Sequence, residues 1–520
     1  MSGMTGPDHT RVGTILRRFL TAGRLIPAIG LLCYAVFLAR LMGACAGGSD
    51  QSGYLNLARL LADGRASVAM RAVPELPPDR MPAFSYIPLG FGPNPDHLTM
   101  HPSYPPGLPL LIMVAARCAG WDAAPGLVMG LHALAGLWLT FILGRALGLK
   151  AAWAWFGALL LAASPLYIFL SVQTLSDLPA MVWVTAAILF AWKSRERTWL
   201  AFAAGAELSI GVLVRPTNIL ALLPVAIAIG PSSRRWLALI AGGVPGAMFL
   251  GGFNHAAYGH VLATGYGGHG SYFGWQCAPV TMAWYALWLP VLLTPLCLLS
   301  TGLPMLWRQG PVPCACLAAW AFVFPVFYLF YSFSHETWWF LRFVLPAFPA
   351  FIVAALLVGQ KLSARLTTGL RPWWLAAAAI VVLANGALWS RRLHAFSVGR
   401  NELVYPQMAG WLGEHLPSNA VVAAMQTSGS LFYYTEFPVI RWDLIEPADF
   451  ERIVATCSAA GRPVFAALHK DEIDGAIKPA FPGRLPGHWT KIGTVRHMSV
   501  WRFDDMAGAP STLGSGIGPR

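Results

Sequence analysis

Apolar runs recur from about residue 25 to about residue 390, many of them long enough to cross a bilayer and nearly free of charge. A helix rises ~1.5 Å per residue, so ~20 apolar residues match a hydrocarbon core of ~30 Å. Inside hydrocarbon every backbone N–H and C=O needs a partner within the protein, and a helix supplies it along its own length. The pattern predicts a polytopic α-helical membrane protein. Composition agrees: 11% of the 520 residues are charged and 56% are hydrophobic, against about 25% charged residues in a soluble domain. The 22 Trp and 28 Phe suit rings placed at bilayer interfaces.

The net charge of +13 would suit nucleic acid, but its placement argues against that partner. Arg11, Arg17, Arg18 and Arg24 precede the first run, and other basic clusters fall in short loops between runs. That is positive-inside bias together with attraction to anionic membrane lipids. Of the eight Cys, Cys33, Cys297, Cys314 and Cys316 lie inside apolar runs and read as small hydrophobes.

The basic loops orient the chain. With residues 1–24 cytoplasmic, a first span at about 25–45 delivers residues 46–105 outside, a Pro-rich loop too long for a plain connection. Leu110–Ala119 is too short to span and reads as an interfacial or re-entrant helix that returns outside; counting it as a span would put Lys193–Arg197, Arg234-Arg235 and Lys361–Arg371 outside. The stretch 198–230 is interrupted by Arg215-Pro216, which places Arg215 at an outer turn between two short, broken helices. The count is about 11 transmembrane helices, with the N-terminus in and the C-terminus out. Residues 1–394 form the membrane domain, with 46–124 as the first outer loop. Residues 395–506 alternate helix-like and strand-like segments and predict a small periplasmic α/β domain; 507–520 reads as a disordered tail.

This arrangement puts Asp50, Asp177, Arg215, His335, Glu336 and Arg342 on one side. Ionisable groups near membrane depth are costly and usually functional. Asp50 leaves the first span behind the Gly47-Gly48 pair and is followed by Tyr54 on an apolar, helix-like stretch. Carboxylates and arginines together suit transfer from a phosphate-linked donor: a carboxylate takes a proton from an attacking hydroxyl, and Arg neutralises a departing phosphate. Asp50 is the candidate base. Tyr54, Tyr104, Asp177, Arg215, His335, Glu336 and Arg342 are candidate substrate-binding residues. Asp50 and Asp177 are also the pair that could hold a divalent cation such as Mg, Mn or Zn. Each residue has a plainer role open to it: helix capping for Asp50 and Asp177, snorkelling for Arg215, interfacial anchoring for His335 and Arg342.

The motifs resemble, in order and sidedness, the GT-C fold polyprenyl-phosphate-sugar glycosyltransferases, which include bacterial aminoarabinose transferases and protein O-mannosyltransferases. They are Asp50…Tyr54, Tyr104-Pro105-Pro106-Gly107, Ser176-Asp177-Leu178-Pro179, Gly205…Gly211…Arg215-Pro216-Thr217 and Arg342 opening a Pro-punctuated span, over about residues 25–350. The resemblance implies an inverting enzyme of a bacterial inner (plasma) membrane. It would move a hexosyl or pentosyl group from a polyprenyl phosphate to a lipid, glycan or protein hydroxyl on the periplasmic face. Many members pair two adjacent acidic residues in the first loop, whereas Ser49 and Gln51 flank Asp50 here, which leaves metal dependence open. Three other functions compete. A flippase for lipid-linked sugars calls for midplane charges and internal repeats. An O-antigen-ligase type of enzyme calls for a long late loop, and an envelope scaffold for neither.

Overall fold

The computed structural model describes residues 22–82, 84–364, 371–474 and 484–506. Arg11, Arg17, Arg18, most of the basic loop at 361–371 and the expected tail 507–520 lie outside the described residues.

Every apolar run forms helix. In chain order these are α1 (Ala22–Leu41), α2 (Ser49–Ala62), α3 (Gly107–Ala119), α4 (Ala124–Ala146), α5 (Ala151–Ala162), α6 (Pro165–Ser171), α7 (Asp177–Lys193), α8 (Trp199–Val214), α9 (Leu222–Ile229), α10 (Ser233–Tyr258), α11 (Cys277–Leu292), α12 (Pro311–Tyr328), α13 (Phe348–Ser363) and α14 (Arg371–Arg392). The eleven expected spans are not eleven long helices. Among the described residues five helices are long and apolar enough to cross a membrane, or seven if two bent pairs each count as one. Proline accounts for much of the difference, because it removes an N–H and clashes with the preceding turn. Pro165 follows a 66° bend between α5 and α6, and Pro295 follows a 107° bend after α11. Pro216 stops α8 at Val214, and short 3₁₀ turns carry the chain into α9. Helix α3 has 13 residues, as its short apolar stretch required.

Small residues set the closest helix crossing. A Cβ on Gly205 of α8 would lie 1.9 Å from the Leu239 carbonyl oxygen, and one on Gly242 of α10 would lie 2.0 Å from that of Phe202. Only glycine permits backbones to approach so closely.

The C-terminal part follows the expected alternation closely. After α14 come α15 (Val398–Glu402), α16 (Val404–His415), α17 (Ser428–Tyr434) and α18 (Pro447–Ala459). Three short strands precede this part, β1 (Val68–Ala69), β2 (Phe91–Pro93) and β3 (Thr99–Pro102), ordered β1-β3-β2 within the first loop. The C-terminal strands are β4 (Val421–Ala423), β5 (Val439–Ile440), β6 (Val464–His469), β7 (His488–Val495) and β8 (Met498–Asp505), ordered β5-β4-β6-β8-β7. Strands β4, β5 and β6 are parallel, and the β7–β8 hairpin closes antiparallel on β6. Successive side chains on a strand face opposite ways. Val421, Ala423, Val464 and Ala466 accordingly pack with Phe450 and Ile453 of α18, while Val422, Phe465 and Ala467 pack with Met408 and Leu412 of α16. The first loop takes part in this core: Val73, Leu76, Met81 and Tyr86 join the α18 side. Asn56 of α2 donates to the Gly429 carbonyl at 3.0 Å, and Arg59 donates to that of Tyr433 at 2.7 Å. The α/β unit is therefore fastened to the helix that carries Asp50.

Candidate active site

Seven residues separate the end of α1 from helix α2, which begins directly behind Gly47 and Gly48. A Cβ on Gly47 would lie 2.3 Å from Glu402 Oε2, so glycine there also admits a side chain from α15. Asp50 stands in the first turn of α2, but the helix has no side-chain N-cap bond. Its carboxylate instead accepts the Tyr104 hydroxyl at 2.7 Å and pairs with Arg342 Nη2 at 3.0 Å. The Tyr104 ring tilts against Tyr54 with centroids 4.7 Å apart, and Ser49 Oγ lies 3.1 Å from the Tyr104 hydroxyl. Burial, then the Asp50 carboxylate, hold the Tyr104 hydroxyl well above the usual phenol range. Tyr104 thus stays a proton donor to Asp50.

The Tyr54 hydroxyl donates to Ser176 Oγ at 2.8 Å, which ties α2 to the start of α7. Asp177 follows directly and is 2% exposed. It too makes no cap: its Oδ1 accepts from Arg215 Nη1, and its Oδ2 lies 4.0 Å from Arg342 Nε. Capping is thus not what either carboxylate does. Arg215 is placed by the proline after it, since a residue before Pro is pushed out of the helical region; its φ of −151° and ψ of 112° are extended. Arg342 sits on the 3₁₀ stretch Trp338–Ala347. Both guanidiniums lie over the Phe343 ring, 5.0 Å and 5.4 Å from its centroid. The result is a part-buried cluster of two carboxylates and two guanidiniums joining α2, α7, the break after α8 and the entry to α13. Such pairs hold together only with several hydrogen bonds each, and removing one partner strands a charge.

Six of the eight candidates, Asp50, Tyr54, Tyr104, Asp177, Arg215 and Arg342, meet here. His335 shares a 3.1 Å hydrogen bond between its Nδ1 and Thr281, and Glu336 is exposed. Among the described residues neither is joined to the cluster by an ion pair or hydrogen bond. Residues that the sequence did not single out complete the site. Tyr266, from the Gly-rich loop after α10, brings its ring to 6.1 Å from Tyr104. Tyr328 donates to Thr217 at 2.9 Å, beside Arg215. Glu402 lies behind Gly47, where burial pushes its carboxyl up to about 7 against the lowering contribution of the Gly48 N–H.

The Arg342 guanidinium lies between the two carboxylates, where a cation bridging Asp50 and Asp177 would have to sit. Among the described residues no group of three or more His, Cys, Asp or Glu gathers to hold a metal. The donors as arranged do not fit a resident divalent cation, and no step below is routed through one.

One space lies against the cluster and a second comes close to it. An apolar groove of about 700 Å³ runs between α8 and α10, walled by Leu208, Val212, Ile240 and Val244, and comes up to Pro216 and Tyr266. A smaller cavity of about 280 Å³ lies against Asp50 and Arg342.

No protein-family model matches the chain, and no curated protein matches it significantly. Solved structures do. ArnT from Cupriavidus metallidurans, bound to undecaprenyl phosphate, superposes with a TM-score of 0.54 at 15% identity, covering 95% of this chain and 99% of that one. Its apo state gives 0.55 at 15% identity, covering 95% and 98%. Arabinofuranosyltransferase AftD from Mycobacteria covers 91% of this chain and 40% of its own, at 13% identity and a TM-score of 0.44.

The chain has a GT-C fold. The architecture implied by the short motifs is the one found, over nearly the whole length of chain and neighbour alike. Within this GT-C fold the motif residues are the ones that meet at the cluster, although they are spread from Asp50 to Arg342 in sequence.

Proposed function

We propose that the protein is an inverting glycosyltransferase that takes a sugar from a polyprenyl-phosphate carrier and gives it to a hydroxyl. The observation that carries this reading is the part-buried cluster of Asp50, Asp177, Arg215 and Arg342, close to an apolar groove of about 700 Å³. An apolar groove suits an isoprenoid tail, and it comes up to Pro216 and Tyr266, beside the Arg215 whose guanidinium suits the phosphate. The shared fold of ArnT, solved with undecaprenyl phosphate bound, supports that class of carrier.

In this mechanism the donor phosphate competes with the carboxylates for Arg215 and Arg342. As Arg342 turns to the phosphate, Asp50 is released to act as base. The acceptor oxygen attacks the anomeric carbon from the face opposite the phosphate, and the carbon–oxygen bond to the phosphate breaks with its electron pair on the leaving oxygen. Arg215 and Arg342 stabilise that growing charge in a water-poor site, where such stabilisation is strongest. Asp50 takes the hydroxyl proton, a contribution of about 10²–10⁴ in rate. Tyr104 orients the Asp50 carboxylate, and Asp177 fixes Arg215. The carrier leaves as polyprenyl phosphate.

The cluster acts on the periplasmic face of a bacterial plasma membrane in this reading, which the basic content of the opposite turns supports. The test is to extract lipid-linked sugars and envelope glycans from cells lacking the protein. A polyprenyl-phosphate sugar should accumulate while one sugar disappears from a product. Unchanged pools of both would overturn the reading.

A further inference from the structure

We infer that the cavity walled by Arg195, Arg235 and Trp307, at the far end of α7 from Asp177, binds the headgroup of an anionic phospholipid. The inference is independent of the sugar-transfer reading and uses none of its residues.

The cavity has a volume of about 540 Å³, within the ~300–1,000 Å³ typical of small-ligand sites. Four helix ends build it. The turn after α7 supplies Arg195, the last turn of α9 supplies Ile227, the first turn of α10 supplies Arg235, and the start of α12 supplies Val312 and Ala315. Trp307, 52% exposed, lines it from the turn before α12.

The two guanidiniums share this space without a counter-charge. Arg195 donates from Nε to the Ala228 carbonyl at 2.6 Å and from Nη2 to the Ile227 carbonyl at 3.0 Å, so the end of α9 fixes its position. A guanidinium carries five N–H donors, and those two bonds leave the others for a ligand. Burial, then the like charge of Arg235, push the Arg195 guanidinium down from its ordinary range, so the two cations act on each other. No carboxylate lines the cavity, and among the described residues neither arginine is in an ion pair. Glu196, next to Arg195 in the chain, is exposed and outside the lining. A phosphate between the two arginines would relieve their repulsion and take forked hydrogen bonds from both.

The remaining walls select a lipid over a free anion. Ile227, Val312 and Ala315 are apolar and suit the glycerol and the first methylenes of an acyl chain, for which inorganic phosphate has no use. The ends of membrane helices lie at headgroup depth, where Trp is enriched and anionic lipids meet basic side chains. Plain snorkelling explains the pair less well. A snorkelling arginine only carries its head to water and needs neither a cavity nor a second arginine beside it.

The experiment titrates the purified full chain in detergent with dioleoyl phosphatidylglycerol or dioleoyl phosphatidylcholine and counts bound lipid by native mass spectrometry. The two lipids share acyl chains and differ in net charge. The tightest phosphatidylglycerol should bind about tenfold or more better than phosphatidylcholine, as charge-assisted hydrogen bonds to a phosphate group without a compensating cation predict. Arg235→Gln and Arg195→Gln should each weaken phosphatidylglycerol about tenfold. Arg234→Gln is the control. It removes an equal charge one residue away, from an exposed side chain outside the cavity, and should change the affinity less than about twofold. Arg195→Gln also gives up two bonds to α9, so melting temperatures are compared, and Arg235→Gln decides if Arg195→Gln does not fold. Equal binding of the two lipids, an unchanged affinity in Arg235→Gln, or an equal loss in Arg234→Gln and Arg235→Gln would each overturn the site. So would displacement of the lipid by millimolar inorganic phosphate or by an acidic peptide.

Discussion

Asp50 could be picked out of the sequence because a carboxylate at the exit of a membrane helix is a poor packing choice. The structure removes its plainer role: α2 has no side-chain cap, and the carboxylate points to Tyr104 and Arg342. Asp50→Asn keeps the shape and loses the base, so turnover should fall by about 10²–10⁴ with insertion intact, while loss of the Arg342 ion pair lowers melting. A rate within a few-fold of the natural protein, in an assay of sugar release from the carrier, would remove Asp50 from the mechanism. Glu402 was not legible in the same way. It is remote from the motifs in sequence, and only Gly47, read as a turn glycine, hinted that something must approach closely. Its pH signature is specific. The folded state holds its proton up to about 7, whereas a free glutamate releases it near 4.5. Between those values the folded chain binds the extra proton, so stability falls as pH rises through this window. Cys45 and Tyr405 beside it are pushed up by burial and stay neutral there. The natural protein should therefore lose more melting temperature between about pH 5 and about pH 8 than Glu402→Gln does; identical losses in a thermal-shift series would contradict the assignment.

At the scale of elements, the sequence reads well where a segment is long and periodic, and poorly where pairing is remote. Ser428–Tyr434 and the closing hairpin follow from local pattern. Strands β1 and β2, of two and three residues, do not, because their stability comes from pairing with β3 across the first loop. The two bends of 66° and 107° were also missed, since hydropathy averages across a proline. By contrast Arg215-Pro216 was readable as a break, because a charge and a proline coincide within an apolar stretch. The α8–α10 crossing makes its own prediction. With 1.9 Å between a Gly205 Cβ and the Leu239 oxygen, even Ala must force two backbones apart, and Val more so. That separation would deform the wall of the groove that comes up to Pro216. Gly205→Val should lower yield and melting temperature in detergent and weaken undecaprenyl phosphate binding. Gly252→Val, on the same helix as Leu239 but with open space around its Cβ, should do neither.

For the whole molecule, the main question is which side of the membrane the cluster faces. Helix α7 starts at Asp177, inside the cluster, and its 17 residues extend about 25 Å to Lys193, after which the basic turn at Arg195 and Arg197 follows. The cluster and this turn therefore lie at opposite ends of a rod of about 25 Å. The α/β unit lies at the cluster end, because Gly429 and Tyr433 accept hydrogen bonds from α2. Orientation then reduces to one binary question, and positive-inside bias is the argument for the periplasmic answer: Lys193, Arg195, Arg197, Arg234 and Arg235 gather in short turns away from Asp50. Glu436, whose side chain is 93% exposed, is a good reporter for one end, and the exposed Arg197 for the other. In a background with the exposed Cys33 and Cys118 replaced, a cysteine at Glu436 should react with a membrane-impermeant maleimide on intact spheroplasts. One at Arg197 should react only after permeabilisation. The reverse pattern would put the cluster in the cytoplasm. A carrier used there would present its sugar on the inner leaflet, and the proposed periplasmic acceptor would have to be replaced by a cytoplasmic one.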